Sequence, residues 1–128
     1  MALILVVEDS PTQTYSLKRI LTKYGHKVIT AEDGVQGVEL AKRELPDLIL
    51  MDIVMPRLNG FQATRLLTKD VKTSHIPIIL VTNKDQETDE IWGRRQGAKR
   101  YVTKPFDEDS LMRDIHELLA TPSRLGKV

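Results

Sequence analysis

The chain has 128 residues, of which 41% are hydrophobic and 29% charged, as is typical of one globular domain. Its 19 basic and 18 acidic residues give a net charge of +1, which argues against a nucleic-acid or anionic-lipid surface. Cysteine is absent, which excludes thiol chemistry and fits a reducing compartment, and no apolar run is long enough for a membrane span. We therefore expect a cytoplasmic, monomeric protein without membrane insertion.

The first predicted strand, residues 3–7, is followed by a helix with clear start and stop signals. Ser10 is the expected N-cap, and Pro11 occupies the first helical position. Gln13 has the spacing that closes a capping box with Ser10. Gly25 is expected to end the helix.

Two further strand–helix pairs follow. A strand over residues 28–31 leads to a helix capped by Asp33, with Val35, Val38, Ala41 and Leu45 at core spacing. A strand over residues 48–51 is followed by a loop over residues 55–60 and a third helix. The apolar side of that helix is predicted to contain Phe61, Thr64, Leu67 and Val71.

The last two pairs complete the pattern. After a strand over residues 78–81, Asp85 is expected to cap a polar helix over residues 86–96. Its few apolar anchors are Ile91 and Trp92. A mixed strand at residues 101–102 precedes a final helix capped by Asp107, which Pro122 ends near Ala120.

Five strand–helix pairs predict an α/β fold, a parallel sheet with helices on both faces. The runs at residues 3–7, 48–51 and 78–81 are almost purely apolar, as interior strands are, whereas residues 28–31 and 101–102 suit edge strands. The doubly wound order 2-1-3-4-5 accommodates three inner and two outer strands. Ligands of such sheets bind beyond the carboxyl ends of the strands, at the switch point.

Carboxylates follow two strands that this order makes neighbours. Glu8 and Asp9 come after the first strand, and Asp52 comes after the third. Carboxylates that converge repel each other unless one is protonated or a cation neutralises them. Hard oxygen ligands favour Mg²⁺, with Mn²⁺ as a substitute. The alternative is that Glu8 and Asp9 merely cap the first helix, but Ser10 already has that position.

Asp52 is the candidate nucleophile for a phosphoryl group, and it requires neutralisation because it attacks an anion. Lys104 can supply a positive charge and Thr82 a hydroxyl donor at neighbouring strand ends. Taken alone, Thr82 is an ordinary strand-end hydroxyl and Lys104 an ordinary surface charge; their joint placement favours a phosphoryl site. Pro105 is either a plain loop proline or a cis proline that directs Lys104 inward.

Four segments together resemble the receiver domains of bacterial two-component response regulators. They are VVEDS (residues 6–10), LILMDIVMP (48–56) with Gly60 following, IILVTNK (78–84) and YVTKPF (101–106). The resemblance covers residues 3 to 120. It implies the flavodoxin-like receiver fold, a receiver domain over residues 1–121 and a short C-terminal tail, residues 122–128, without an effector domain.

The resemblance also implies roles for the acidic residues. Asp52 is the expected phosphoacceptor, and Glu8, Asp9 and Asp52 are the expected metal-site acids. The main-chain carbonyl of Val54 is the expected further metal ligand.

For the remaining positions, the resemblance implies that Thr82 and Lys104 bind the phosphoryl group. Thr82 and Tyr101 are the expected switch pair, and a cis peptide bond is expected between Lys104 and Pro105. In the flagellar chemotaxis regulators, the position two past the acceptor is typically an amide used with a dedicated phosphatase. Val54 stands there in this chain, which disfavours that phosphatase chemistry.

A narrower likeness links residues 51–70 and 81–106 to the stand-alone regulators of type IV pilus twitching motility, the PilH type. Those regulators act downstream of a chemotaxis-like histidine kinase. The expected donor is therefore a histidine kinase or its phosphotransfer domain. The output is expected to be binding of another protein, through a face that contains Trp92, Arg94, Arg95 and Tyr101.

The sequence thus predicts a phosphorylation switch that catalyses at most its own phosphorylation and dephosphorylation. A Mg²⁺-dependent phosphohydrolase that forms an aspartyl-phosphate is the alternative, although such enzymes carry a second acid where this chain has Val54. A phosphorylation-independent adaptor would not need the acid cluster. The three histidines, His26, His75 and His116, lack ligand spacing and are expected on the surface or in loops.

Overall fold

In the computed structural model, which describes residues 1–120, five strands alternate with five helices. The strands are β1 (Leu3–Val7), β2 (Lys27–Ala31), β3 (Leu48–Met51), β4 (Ile78–Thr82) and β5 (Arg100–Thr103). The helices are α1 (Pro11–Lys23), α2 (Gly34–Glu44), α3 (Gly60–Lys69), α4 (Glu87–Gln96) and α5 (Glu108–Leu119). The tail predicted over residues 122–128 lies outside the described residues.

All strand pairs are parallel, and the order is β2-β1-β3-β4-β5. The predicted doubly wound sheet is therefore confirmed. The order reverses between β1 and β3, so the carboxyl ends of these two strands flank the switch point. The sequence identified the two edges, β2 and β5, from their mixed composition, and their side chains are less buried than those of the three inner strands.

Side chains of alternating strand residues fill two cores, one on each face of the sheet. On one face, Ile4 and Val6 of β1 pack with the apolar stripes of α1 and α5, which include Leu17, Leu21 and Ile115. The opposite face packs against α2 and α3, and its buried residues include Leu5, Val7, Val38, Ala41, Ala63 and Leu67. Burial on both faces explains why the inner strands are continuous apolar runs.

Ser10, Asp33 and Asp107 are the N-caps of α1, α2 and α5, as predicted. Two predictions at helix ends were wrong. Leu45 is not at a core position, because it is the C-cap of α2 in the left-handed conformation and half exposed. Val71 lies beyond the end of α3 and is 87% exposed.

The packing of α4 differs from the prediction in two respects. Its N-cap is Gln86, not Asp85. Ile91 and Trp92 do not anchor the helix, since about half of each side chain is exposed. The helix instead contacts the sheet through Gly93, where an added Cβ would lie 2.6 Å from Leu80 Cδ1. With a glycine as its main inward residue, α4 has few apolar contacts.

Two of the histidines form a pair that the sequence did not predict. His26 is buried immediately before β2, and its Nε2 lies 3.0 Å from Nε2 of His116 on α5. His75 is exposed, as expected. No helix within residues 1–120 combines the length and apolar character that crossing a membrane requires.

Candidate functional site

Backbone hydrogen bonds continue past the strands and align the candidate residues at one edge of the sheet. The Glu8 amide donates to Ala31 O at 3.0 Å, and the Asp52 amide donates to Val7 O at 3.0 Å. On the other side of the switch point, the Lys104 amide donates to Thr82 O at 2.8 Å. The backbone positions of Glu8, Asp52 and Lys104 are therefore fixed by hydrogen bonds that continue those of the sheet.

The three carboxylates predicted from the sequence do converge. Glu8, Asp9 and Asp52 each have an oxygen within 4.8 Å of the others. Glu8 and Asp52 are buried, with 4% and 9% of their surface exposed, whereas Asp9 is exposed. The cluster is thus open to solvent on the side of Asp9.

Lys104 is the cation that faces these acids. Its Nζ donates to Glu8 Oε1 at 2.9 Å and to Asp52 Oδ2 at 3.4 Å, and it also contacts Gln13 Oε1. The Lys104 side chain is only 10% exposed, so solvent screens these charges weakly. The peptide bond between Lys104 and Pro105 is cis.

One ammonium does not compensate three carboxylates. Burial raises the pKa of Glu8 above its ordinary value, and the charge of Asp52 acts in the same direction. Hydrogen bonds from Lys104 and from the Ser10 amide oppose this rise without cancelling it. The site therefore favours additional positive charge, and its hard oxygen ligands fit Mg²⁺.

The two carboxylate oxygens of Asp52 have different partners. Oδ1 accepts from the Ile53 amide at 2.7 Å, which fixes the orientation of the carboxylate. Oδ2 faces Lys104. Val54 follows in the β3–α3 loop with a side chain that is 63% exposed, and Gly60 closes this loop by donating to Ile53 O at 2.9 Å.

Thr82 is fully buried at the last position of β4, and its Oγ1 accepts from the Lys84 amide at 3.3 Å. Tyr101 lies on neighbouring β5, and its hydroxyl donates to the Lys84 carbonyl at 2.6 Å. Burial raises the pKa of the Tyr101 hydroxyl to about 12, with smaller contributions from nearby acids, of which Asp89 is the largest. The hydroxyl is therefore a permanent donor at neutral pH.

Sequence reasoning missed the role of Gln13 at this site. The predicted capping box is only half formed, because the Ser10 hydroxyl accepts from the Gln13 amide at 3.4 Å but the Gln13 side chain extends to Lys104. The Ser10 amide, free of Gln13, donates to Glu8 Oε2 at 3.0 Å. The position of Gln13 in the first turn of α1 could have indicated this contact. Side chains there point back toward the N-terminus of the helix, where the acids lie.

The predicted partner face lies beside this site. Trp92 and both arginines, Arg94 and Arg95, are exposed on α4, and Tyr101 is partly buried on β5. Arg94 forms a 3.1 Å ion pair with Glu90 one turn away. The face thus combines an aromatic ring with basic groups, of which Arg94 is already paired.

The fold and the acid cluster define a class of signalling domain, and comparison with known proteins identifies the same class. Residues 4–116 match the family model described as the response regulator receiver domain. The chain belongs to this family, which confirms the resemblance drawn from its motifs.

Among individual relatives, the chain is 62% identical over 120 residues to Protein PilH from Pseudomonas aeruginosa, covering 94% of this chain and 99% of that protein. It is 40% identical to the response regulator PleD from Caulobacter vibrioides, of which it spans 26%.

Solved structures agree with the fold. A receiver domain of a sensor histidine kinase from Pseudomonas aeruginosa PAO1, crystallised with a magnesium ion in its active-site cleft, superposes with a TM-score of 0.87 at 32% identity, covering 94% of this chain and 98% of that one. A CheY-like receiver domain protein from Methanospirillum hungatei gives a TM-score of 0.90 at 26% identity, covering 98% and 99%.

Proposed function

We propose that this protein is a phosphorylation switch in which Asp52 accepts a phosphoryl group from a histidine kinase or its phosphotransfer domain. The observation that carries the proposal is the contact of Lys104 Nζ with both Glu8 and Asp52. A buried ammonium between two carboxylates is positioned for an anion that forms on one of them. The membership of the receiver family supports the same role.

In the proposed reaction, an oxygen of Asp52 forms a bond to phosphorus while the bond from phosphorus to the donor nitrogen breaks. The electron pair of the broken bond remains on that nitrogen. Lys104 moves a donor from the carboxylate to a phosphoryl oxygen, and Thr82 can offer its hydroxyl to another. The Ile53 amide keeps the acceptor carboxylate oriented throughout.

The residues that would hold Mg²⁺ are Glu8, Asp9, Asp52 and the carbonyl of Val54. When bound there, the ion supplies the charge neutralisation that brings an anionic phosphoryl group to a carboxylate. The magnesium ion in the related receiver structure supports this assignment.

The proposed output is a change in binding to another protein at the face formed by Trp92, Arg94, Arg95 and Tyr101. Phosphorylation draws Thr82 toward the phosphoryl group and lets Tyr101 and α4 reposition. The similarity to PilH over nearly the whole chain supports the pathway expected from the motifs, type IV pilus motility signalling. The proposed location is the cytoplasm. The protein would then catalyse at most its own phosphorylation and dephosphorylation.

The test is incubation with acetyl phosphate and Mg²⁺, followed by intact mass measurement. The wild-type protein is expected to gain about 80 Da, one phosphoryl group. The Asp52→Asn variant can still accept from the Ile53 amide and is expected to fold, but it lacks the attacking carboxylate, so it is expected to show no gain. An equal gain in Asp52→Asn would exclude Asp52 as the acceptor.

A further inference from the structure

The side chain of Gln13 has a position in the site that its expected role as a helix cap does not explain. Within residues 1–120, Lys104 Nζ donates to Glu8, Asp52 and Gln13. An ammonium has three donors, so each is used. Of these three acceptors, only Gln13 is neutral.

The two charged acceptors have other functions in the proposed reaction. Glu8 is a proposed ligand of the metal ion, and Asp52 becomes the phosphorylated residue. Both residues therefore change their interaction with Lys104 when the metal ion and the phosphoryl group are present. Gln13 is needed by neither the ion nor the phosphoryl group, so its contact with Lys104 can persist through the reaction.

Gln13 is itself fixed by the start of α1. The backbone amide of Gln13 donates to Ser10 Oγ, and the backbone amide of Ser10 donates to Glu8 Oε2. Lys104 Nζ contacts both Glu8 and the Gln13 side chain, which closes a ring of contacts. Gln13 is also only partly exposed. The backbone of Gln13 is thus fixed relative to the acids, and its side-chain amide oxygen contacts Lys104 Nζ.

We propose that Gln13 is a positioning residue for phosphoryl acceptance: its amide oxygen holds the Lys104 ammonium at the site while the other two donors change partners. This inference rests on the proposed function of Asp52. Gln13 makes no bond to the reacting atoms and acts only through Lys104.

The test is a double-mutant cycle between Gln13 and Lys104. Gln13→Met has a similar size but replaces the amide oxygen with a weakly accepting sulfur, and loss of a hydrogen bond to a charged group is expected to slow phosphorylation by acetyl phosphate about tenfold at saturating Mg²⁺. In the Lys104→Met background, the same change at Gln13 is expected to leave the remaining rate unaltered. Additive effects of the two substitutions would show that Gln13 does not act through Lys104.

Arg19→Gly is the control for helix stability, because Arg19 lies on the exposed side of α1 outside this ring of contacts and glycine is unfavourable within a helix. It is expected to lower the free energy of unfolding but to keep the phosphorylation rate within about twofold of wild type. A slowing equal to that of Gln13→Met would assign the effect to helix stability and overturn the inference.

A second measurement in metal-free protein separates this inference from the proposed function. Hydrogen bonds slow the exchange of ammonium protons, so the ¹H–¹⁵N signal of Lys104 is expected in wild type and is expected to broaden in Gln13→Met. An unchanged signal would overturn the inference whether or not Asp52 accepts a phosphoryl group. Failure of wild type to gain mass, with the signal sensitive to Gln13, would instead overturn the proposed function.

Discussion

The side chains of Thr82 and Tyr101 are both hydrogen-bonded to the backbone of Lys84. Thr82 Oγ1 accepts from the Lys84 amide, and the Tyr101 hydroxyl donates to the Lys84 carbonyl. Neither side chain can leave its present partner without changing the contacts of this one residue. Lys84 lies between β4 and α4, so a movement of Thr82 would change the contacts of the segment that precedes α4.

The first prediction concerns this connection. Beryllofluoride with Mg²⁺, a mimic of the phosphorylated state, is expected to change the fluorescence of Trp92, the only tryptophan in the chain. Thr82→Ala is expected to reduce the change, because it removes the hydroxyl that we propose contacts the phosphoryl group only in the activated state. Asp52 is expected to remain reactive in this variant.

Thr82→Ser is the control, since it retains the hydroxyl and loses only a methyl group. It is expected to keep most of the fluorescence change. An undiminished response in Thr82→Ala would show that the signal reaches α4 by a route that does not involve Thr82.

The second prediction concerns the metal. Asp9→Asn removes a proposed charged ligand from the open side of the cluster and is expected to raise the Kd for Mg²⁺ by about tenfold, measured by calorimetry. Asp85→Asn is the matched control, because Asp85 is an exposed acid at the same edge but outside the cluster. Equal affinities in Asp9→Asn and wild type would remove Asp9 from the site.

Much of this site was predictable from the sequence, because a parallel sheet brings strand ends to a common edge whatever the details of packing. Glu8, Asp52 and Lys104 each follow directly from that rule, and direct contacts join them. The sequence did not decide between two roles for the Gln13 side chain, because a capping box and a contact with Lys104 are both possible from the same helical position. Only the location of the ammonium decides between them.

Contacts between elements that are distant in the sequence could also not be predicted from hydrophobic periodicity. His26 and His116 are separated by 90 positions, and no periodicity relates them. In α4, two large apolar residues were expected to face inward, yet Gly93 lies against Leu80 and leaves Trp92 exposed. A glycine gives no hydrophobic signal, so sequence patterns underestimate it as a packing position.

The third prediction concerns Gly60, the residue that ends the loop after Asp52. A Cβ at Gly60 would overlap the Asp52 carbonyl oxygen and lie 2.7 Å from Ile53 Cα. These are backbone atoms and cannot turn away, so Gly60→Ala is expected to lower the free energy of unfolding by about 1–3 kcal/mol. It is also expected to slow phosphorylation, because the displaced backbone carries the acceptor.

Gly25→Ala is the control for Gly60→Ala. Gly25 has a φ of +87° and open space around it, so its cost comes from backbone strain far from the acids. It is expected to destabilise the protein without slowing phosphorylation of the folded fraction. Denaturant unfolding and the acetyl phosphate reaction together check both variants. A normal phosphorylation rate in folded Gly60→Ala would show that the site tolerates the displacement.

The fourth prediction is a pH dependence that comes from the paired histidines. The Ala2 amide donates to His26 Nδ1 at 3.1 Å, so neutral His26 carries its proton on Nε2 and donates it to His116 Nε2. A second proton on His26 would occupy Nδ1 and place it, as a donor, against the Ala2 amide. The neighbouring groups are the amino terminus of Met1, Asp47 and Tyr24, which surround the same cavity.

Burial lowers the pKa of His26, and the charges of His116 and the amino terminus lower it further. Between this lowered pKa and the ordinary value of about 6.5, the unfolded chain binds more protons than the folded protein. The contribution of His26 to stability is therefore complete above about pH 6.5 and is lost as the pH falls below it. The free energy of unfolding, measured with urea from pH 7 to pH 5, is expected to decrease accordingly.

His26→Gln is expected to flatten this decrease because it removes the titrating group, although the variant is less stable at pH 7. His75→Gln, at an exposed histidine, is expected to retain the wild-type slope. Parallel pH profiles for His26→Gln and wild type would show that the loss of stability in acid arises elsewhere, for example at the carboxylates. A flattened profile in His26→Gln alone would assign the loss of stability to the contact between His26 and His116.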